Sequence, residues 1–390
     1  MIYTARLAVP GVEQVWAALP GSRIAGGAVR DALLGVPVSD VDFASPFSPN
    51  EVMRRLEHAG IKSVPTGIAH GTVTAIIGKR GFEITTLRRD IETDGRHAVV
   101  AFTDDWRQDA ARRDFTINAM SMSQDGTVFD YFGGEGDLHT GIVRFVGEAE
   151  IRIAEDYLRI LRFFRFFARY AKGEPDEAAV RAIIRLRDGI KKLSVERVWG
   201  EIKRILAAAD PRAAIALMQM TGVLPLIFPE GTNIPALNRL IELGAPPEPI
   251  LRIAALFPGD ADVLAARLKL GSNEQELLEA YKNRNTLSPS SSDADLRRAL
   301  TDEEPEILVA RSWLAQTATP GWNELRRRIN TMPRPVFSLH GRDIVALGIP
   351  AGPRVGKILA AVRGWWRENG CVDNQSACLE KAKEIIGNSN

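Results

Sequence analysis

Segments with the composition of β-strands are confined to the first 147 residues of this 390-residue chain. After Gly147 the apolar residues recur at three- and four-residue intervals, which is the period of an α-helix. We therefore predict one α/β unit with a single sheet, followed by helices to the end of the chain. The predicted strands, rich in Val, Ile and Thr, are Asp40–Ala44, Lys62–Pro65, His70–Gly78, Gly81–Arg88, Thr127–Tyr131 and Ile142–Val146, with a turn at Gly133–Gly136.

The stretch from Arg23 to Phe43, which we call the Gly–Asp segment, combines a glycine pair with two aspartates. Gly26 and Gly27 precede a short helical pattern and offer backbone N–H groups to an anion, with no Cβ in the way. Asp40 and Asp42 alternate with apolar residues, so in an extended chain their side chains project to the same side. Two adjacent carboxylates repel each other, and a divalent metal is a common way to relieve that repulsion. The segment predicts a nucleoside triphosphate on the glycine turn and Mg²⁺ on the aspartates. Each half alone is also typical of an ordinary turn or a solvated loop.

Two strand-region features bear on this site. Glu83 alternates with apolar residues in a predicted strand and is a candidate third acidic group, with a solvated surface glutamate as the competing interpretation. Residues 89–102 are polar and contain the turn cluster Glu92–Gly95, which predicts a flexible loop. Long loops beside an active site are often functional.

Polar residues also interrupt the apolar pattern of Arg112–Met120. Arg113, Asp114 and Asn118 stand where a packing segment would carry apolar side chains. A helix that only packs would rarely hold them, and a structural Arg–Asp pair is the alternative.

Residues 148–170 predict one helix with an apolar face and a second face of arginines. Asp156 precedes Arg159 on the same face, so it could hold that guanidinium in a fixed pose. A fixed guanidinium is a planar donor that can pair with a base edge or neutralise a phosphate. A solvated basic face is the alternative. The arginines of this stripe are Arg159, Arg162, Arg165 and Arg169.

Further helices are predicted on both sides of this one. Ser48 is a good N-cap for a helix that ends near Ala59, and a glycine-bounded turn at Gly352 opens a helix near the C-terminus. The helices between them are predicted at Pro175–Arg187, Ser194–Ala209, Pro211–Met220, Pro235–Leu243, Pro249–Phe257, Ala261–Leu268, Glu274–Asn283 and Asp293–Thr301.

The net charge is only +1, but the charge is unevenly distributed. Residues 1–150 carry 15 basic and 20 acidic side chains, whereas residues 151–205 carry 14 basic and 8 acidic ones. A polyanion could therefore be guided to the part of the chain that follows the carboxylates.

The remaining composition indicates no membrane contact. No apolar run approaches the roughly 20 residues that span a bilayer, and the sequence as given does not open with a signal-peptide pattern. We therefore expect a cytoplasmic protein. Cys371 and Cys378 predict neither a zinc site nor a disulfide framework, and no protein partner is implied.

The Gly–Asp segment resembles the nucleotidyltransferase superfamily of DNA polymerase β, whose signature is a Gly-Gly or Gly-Ser turn followed by an Asp-x-Asp strand. Four more motifs follow in an order and spacing similar to those of bacterial CCA-adding tRNA nucleotidyltransferases, a group that also includes bacterial poly(A) polymerases. The resemblance covers about residues 22–205, with a weaker likeness at 341–344 and 352–356. The four motifs are Glu83–Arg88, Arg112–Met120, Glu155–Arg159 and Ser194–Trp199.

This resemblance implies an α+β protein. Its parts would be a polymerase β-like nucleotidyltransferase head with a mixed sheet (residues 1–147), and then an all-α neck (148–220), body (221–300) and tail (301–390). The implied reaction is template-independent addition of CCA to tRNA 3′ ends from CTP and ATP, with release of pyrophosphate and two Mg²⁺ ions. The head would be catalytic, the neck would recognise the base and the tail would bind tRNA.

The resemblance also implies roles for individual residues. Asp40 and Asp42 would be the catalytic metal ligands. Gly27 and Arg30, with the adjoining Gly26, would contact the triphosphate, and Arg113 would contribute to the nucleotide site. The protein template that selects CTP and then ATP would be formed by Asp156, Arg159, Arg162 and Arg165.

Three alternatives remain open at this level. A poly(A) polymerase would typically carry an arginine-rich strand motif and a basic C-terminal extension, whereas the corresponding strand here begins His70-Gly-Thr-Val-Thr-Ala. Partial enzymes that add only CC or only A share the motifs. A catalytically inactive RNA-binding protein would be expected to have lost the glycine pair or an aspartate. The sequence does not decide the oligomeric state, which body and tail residues contact tRNA, or the roles of Glu83 and residues 89–102.

Overall fold

The computed structural model describes residues 9–38, 40–93, 98–283 and 287–388. The chain forms two compact units, which meet in sequence between Ile234 and Pro235. In the described part of the chain, none of the helices combines the length and the apolar character that crossing a bilayer requires.

The first unit contains a mixed seven-stranded sheet and a separate two-stranded one. The strand order of the large sheet is β3-β4-β5-β2-β1-β8-β9, in which β2 and β5 are parallel and the other neighbours are antiparallel. The strands are β1 (Arg23–Ala25), β2 (Phe43–Ser45), β3 (Lys62–Gly67), β4 (Thr72–Ile77), β5 (Arg80–Thr86), β6 (Arg88–Thr93), β7 (Ala98–Phe102), β8 (Ser121–Met122) and β9 (Val128–Phe129).

Eleven described α-helices accompany these strands in the first unit. The serine predicted as an N-cap, Ser48, accepts a hydrogen bond from the Glu51 N–H at the start of its helix. The helices are α1 (Val12–Ala18), α2 (Gly27–Leu34), α3 (Pro49–His58), α4 (Trp106–Ala111), α5 (Gly134–Thr140), α6 (Ala149–Glu155), α7 (Leu158–Tyr170), α8 (Glu177–Leu186), α9 (Val195–Leu206), α10 (Arg212–Met220) and α11 (Val223–Ile227).

Three predictions for the sheet region were wrong in detail. Strand β2 begins at Phe43, so the two aspartates lie just before it rather than within it. The predicted strand at Ile142–Val146 contributes only a single bridge, between Phe145 and Phe115. The predicted turn at Gly133–Gly136 is instead the start of α5, because Asp130 accepts hydrogen bonds from the backbone N–H groups of the first helical residues.

Residues 89–102 are not a loop where the structure describes them. They form the antiparallel pair β6–β7, and residues 94–97 lie outside the described residues. The prediction followed the polarity of Arg89–Gly95 and overlooked Ala98–Phe102, whose valines and phenylalanine favour a strand.

The helix predicted over residues 148–170 is two helices. Asp156 separates α6 from α7 with an extended backbone (φ −154°, ψ 107°). Its side chain then accepts a hydrogen bond from the Leu158 N–H at 3.0 Å. Short aspartate side chains compete with helical hydrogen bonds in this way, which is why they favour helix starts.

In the described residues of the second unit all the regular elements are helices, as predicted. Two apolar cores can be distinguished within it, one around Leu296, Trp322 and Ile329 and another around Ile344, Val362 and Trp366. The helices are α12 (Ile234–Glu242), α13 (Pro249–Leu256), α14 (Ala261–Leu268), α15 (Ser272–Lys282), α16 (Asp293–Asp302), α17 (Pro305–Ala315), α18 (Trp322–Thr331), α19 (Gly341–Ala346), α20 (Pro353–Glu368) and α21 (Gln375–Gly387).

Candidate active site

A cavity of about 520 Å³ in the first unit gathers most of the predicted nucleotide-binding residues. Its lining is strongly basic, with five arginines against two aspartates, so it suits a polyanionic ligand. Asp114, Asn118, Leu158, Phe166 and Arg197 line it although they were not among the predicted site residues. The complete lining is Gly26, Gly27, Arg30, Arg113, Asp114, Asn118, Asp156, Leu158, Arg159, Arg162, Phe166 and Arg197.

The glycine turn forms one wall of this cavity. Gly26 has φ +73° and ψ −127°, a backbone conformation that side chains strongly disfavour. A Cβ on Gly26 would lie 2.8 Å from Nη1 of Arg113, so the guanidinium lies directly against the turn. Gly27 opens α2. A glycine is therefore required at position 26 for two reasons. Its backbone adopts a conformation that other residues disfavour, and the Arg113 guanidinium leaves no space for a Cβ.

Arg113 is held against the turn by an acidic partner. Its Nη2 lies 3.4 Å from Oδ2 of Asp109, and Arg112 bonds Oδ1 of the same carboxylate at 2.9 Å. Burial tends to raise the pKa of Asp109, but the two guanidiniums overcome it and hold that pKa below its ordinary value. Asp109 therefore stays ionised and positions Arg113.

Arg30 lies on α2 beneath the turn and is almost fully buried. Its Nε donates to Oδ1 of Asp31 at 3.0 Å, and its Nη1 donates to Oδ1 of Asn118 at 2.5 Å. The guanidinium also lies 4.5 Å from the ring centre of Tyr170. These contacts occupy much of the guanidinium, so Arg30 shapes the floor of the cavity as well as contributing charge.

A buried polar network joins Arg30 to the arginine stripe of α7. Asn118 donates to Oδ1 of Asp114 at 3.0 Å, and Arg162 donates to Oδ2 of the same carboxylate, from Nε at 2.6 Å and also from Nη2. Burial opposes ionisation of Asp114, yet Arg162 and the Asn118 amide hold its pKa below the ordinary value. Burial would also lower the pKa of Arg162, but Asp114 raises it. In the sequence, Asp114 and Asn118 could be noticed as polar residues that interrupt an apolar pattern.

The pairing predicted between Asp156 and Arg159 was wrong. Oδ2 of Asp156 accepts from Nη2 of Arg197 on α9 at 2.8 Å. Arg159 instead forms an ion pair with Glu155, and its Nη1 donates to the Arg152 carbonyl at 2.8 Å. The break at Asp156 turns its side chain away from the helical i to i+3 position on which the prediction depended. Both residues nevertheless line the cavity.

The last two arginines of the stripe do not line the cavity. Arg165 pairs at 3.2 Å with the buried Glu201 of α9, and burial followed by the neighbouring Arg162 charge lowers the pKa of Arg165 to about 10. Arg169 is exposed. The position of Arg165 favours a supporting contact between α7 and α9.

Asp42, just before β2, and Glu83, on β5, lie across the sheet from the glycine turn that follows β1. Asp42 accepts the Ala25 N–H through its backbone carbonyl at 2.9 Å, which places it beside β1. On its opposite side, the parallel register pairs Phe43 with Ile84, so Asp42 and Glu83 occupy matching positions on one face. The order across the sheet is therefore Glu83, Asp42 and then the glycine turn.

The carboxylates influence one another. Asp42 is exposed as a residue, yet protein atoms around its carboxylate desolvate it and raise its pKa. The charge of Glu83 raises this pKa further, that of Arg113 lowers it, and that of Asp40 raises it again. Within the described ranges, no group of three or more acidic, histidine or cysteine side chains is close enough together to hold a metal ion by itself.

Comparisons with known proteins agree on one family. Residues 22–144 match the family model described as the poly A polymerase head domain, and residues 174–234 match one described as a probable RNA and SrmB-binding site of polymerase A. The mouse (Mus musculus) protein named CCA tRNA nucleotidyltransferase 1, mitochondrial, is 40% identical over 362 residues, which cover 89% of this chain and 83% of that protein. The CCA-adding enzyme of Geobacillus stearothermophilus is 35% identical over 385 residues, which cover 90% and 89% of the two chains. Among solved structures, the Bacillus stearothermophilus CCA-adding enzyme in complex with CTP has a TM-score of 0.76 and 26% identity, over 98% of this chain and all of that one.

Proposed function

The chain belongs to the family of CCA tRNA nucleotidyltransferases, and from this premise we propose that it adds CCA to the 3′ end of tRNA, using CTP and ATP and releasing pyrophosphate. It is a nucleotidyltransferase whose substrates are tRNA and the two nucleotides. The observation that carries the proposal is the basic cavity, in which a glycine turn, five arginines and the helix break at Asp156 surround a space large enough for one nucleotide. Arg113, which lines this cavity, also lowers the pKa of Asp42 through its charge.

We propose that the triphosphate binds against the glycine turn. The N–H groups at the start of α2 and the guanidinium of Arg113 provide donors and positive charge, and Arg30 adds charge from below. Because Asp109 holds Arg113 in place, its guanidinium need not be reoriented when the nucleotide binds. The phosphates would thus lie between the arginines and the aspartates.

We propose that the base is read at the break between α6 and α7. Asp156 supplies an acceptor and the guanidiniums of Arg159 and Arg197 supply donors, which together match the mixed donors and acceptors on a cytosine or adenine edge. The bonds from Leu158 and Arg197 fix Asp156, and Glu155 fixes Arg159. Arg162 lies one turn further along α7 and contributes charge, and Arg165 supports the helix from behind.

We propose that Asp40 and Asp42 hold Mg²⁺, with Glu83 as a neighbouring third carboxylate. The residues fit such an ion because the pKa of Asp42 is raised, after desolvation, by the two other carboxylates, and a divalent cation would relieve that repulsion. Mg²⁺ is commonly held by one or two carboxylates together with substrate phosphates. When bound, two such ions would activate the attacking 3′-hydroxyl and stabilise the departing pyrophosphate. The protein's own contribution is to bring the acceptor and the triphosphate together from opposite sides of Asp42.

The decisive experiment offers the purified protein three tRNA substrates, ending before CCA, after the first C and after CC. Each is incubated with labelled CTP or ATP alone and with both. The proposal predicts two cytidines and then one adenosine, with no further extension. Long A tails would assign the chain to the poly(A) branch, addition of only CC or only A would make it a partial enzyme, and absence of any transfer would contradict the proposed activity.

The division into head, neck, body and tail at residues 147, 220 and 300 also remains a proposal. So does the cytoplasmic location, because the mouse relative is mitochondrial by name.

A further inference from the structure

One half of the large sheet has a covered face and an open face. On strands β3 to β5, Val73, Phe82 and Ile84 are buried on the side where α3 packs. The opposite side presents exposed or half-buried side chains, which are four threonines together with Lys62, Val64, Ile76 and Glu83. We call this side the open face and define it by Thr66, Thr72, Thr74, Glu83 and Thr85.

The threonines of the open face form two hydroxyl pairs across the strands. The Oγ1 atoms of Thr66 and Thr74 are 2.8 Å apart, and those of Thr72 and Thr85 are 3.1 Å apart. A hydroxyl carries one proton and two lone pairs. Each pair uses one proton for its internal bond, so the second proton can be donated to a ligand on the open face. Two outward donors therefore lie side by side without adding charge.

The strand register places these donors next to the acidic centre. Thr74 lies directly opposite Glu83 in the antiparallel β4–β5 pair, and Thr72 lies opposite Thr85. Glu83 in turn matches the position of Asp42 across the β2–β5 pair. Asp42, Glu83 and the threonines therefore occupy neighbouring positions on one continuous face of the sheet.

In-line phosphoryl transfer determines what approaches over this face. The attacking and leaving oxygens must lie on opposite sides of the transferred phosphorus. This step rests on the proposed function, in which the triphosphate binds at the glycine turn. That turn follows β1, on one side of Asp42, so the attacking 3′-hydroxyl must approach from the opposite side, where β5 lies. We propose that the open face binds the last nucleotides of the tRNA acceptor strand, and that the paired threonines hold its phosphate and ribose oxygens.

The chemistry of the face suits an acceptor whose terminal sequence changes. During CCA addition the 3′ nucleotide is first the tRNA's own last base, then C and then C again. Hydroxyl contacts to phosphate and sugar position a strand without reading its sequence. Neutral donors also avoid forming ion pairs with Asp42 and Glu83, which a row of arginines would do.

The test compares tRNA use with nucleotide binding. The double variant Thr74→Val/Thr85→Val removes one hydroxyl from each pair while keeping residues that favour strands. We expect the KM for tRNA lacking CCA to rise about tenfold, with an unchanged Kd for CTP measured without tRNA. Thr127→Val, which changes an exposed threonine near the other edge of the sheet, is the control and should leave both values unchanged.

A second measurement separates this proposal from the proposed function. A photoreactive base at the 3′ terminus of the tRNA should crosslink to the unaltered protein within residues 62–86. This readout needs no catalysis, so it decides the proposal even if the protein transfers no nucleotide. An unchanged KM for tRNA in the double variant, a parallel loss of CTP affinity, or crosslinks only outside these strands would each overturn the assignment.

Discussion

Replacing Asp114 by asparagine tests whether the buried network between the glycine turn and α7 depends on an ionised carboxylate. Asp114 is buried and accepts hydrogen bonds from Arg162, Asn118 and the Phe115 N–H. Removal of one partner from a buried ion pair costs about 3–5 kcal/mol. The Arg162 side chain is 32% exposed, so water screens part of this loss, and we expect a decrease of about 2 kcal/mol in the free energy of unfolding.

Urea denaturation at neutral pH measures this decrease. For a slope of about 2 kcal/mol per molar urea, the midpoint should fall by about 1 M. The matched control is Asp104→Asn, an isosteric change at an exposed aspartate ten positions earlier, which should leave the midpoint unchanged.

The pH dependence provides the sharper criterion. The folded-state pKa of Asp114 lies below its ordinary value, so its contribution is fully present above the unfolded pKa, near 3.9, and is lost as the pH falls through the folded pKa. The difference between the unaltered protein and Asp114→Asn should therefore shrink as the pH is lowered below about 4. A gap that stays constant down to pH 2, or an unchanged midpoint at pH 7, would refute the reasoning.

Three other substitutions test separate parts of the site. Gly26→Ala combines a strained backbone conformation with a clash against Arg113, so it should destabilise the protein by about 1–3 kcal/mol and raise the KM for CTP. The control Gly21→Ala is also at positive φ but has free space around the new methyl group, so it should leave the KM for CTP unchanged. Equal KM values for the two variants would contradict the clash. Arg159→Ala should change the ratio of CTP to ATP incorporation more than tRNA binding, measured with single nucleotides on the three tRNA ends; a uniform loss with unchanged preference would argue against base reading. Asp42→Asn should nearly abolish incorporation while CTP still binds the basic cavity in a binding assay without tRNA, and near-normal incorporation in Mg²⁺ would show that the metal assignment is wrong.

The elements that the sequence predicted well are those defined by local periodicity. Strands β3 to β5 and helices α3, α8, α9 and α13 to α16 lie close to their predicted positions because alternation, helical spacing and capping residues act over short distances. The α/β unit and the helical remainder followed from the confinement of strand signals to the first 147 residues, and the α+β class followed from the family resemblance. The basic cavity could be anticipated in outline because its residues carry recognisable motifs.

The partners of the site residues could not be predicted in the same way. Arg162 bonds Asp114 across 48 positions, and Arg197 bonds Asp156 across 41. Such pairs depend on how helices and strands pack, which residue spacing does not encode. The local rule that paired Asp156 with Arg159 failed because a non-helical residue interrupts the helix at that point, and Asp and Asn are the residues most able to do so.

That interruption has a consequence for chain register. Each residue of an α-helix rotates the following side chains by about 100°. A residue inserted within α7 after Arg159 would turn Arg162 away from Asp114 and Arg165 away from Glu201, whereas α6 would keep its own orientation because Asp156 separates the two helices. The directions in which the stripe arginines project therefore depend only on the chain that follows Asp156. Insertions or deletions should be tolerated far less within Leu158–Tyr170 than in the turn that precedes α8.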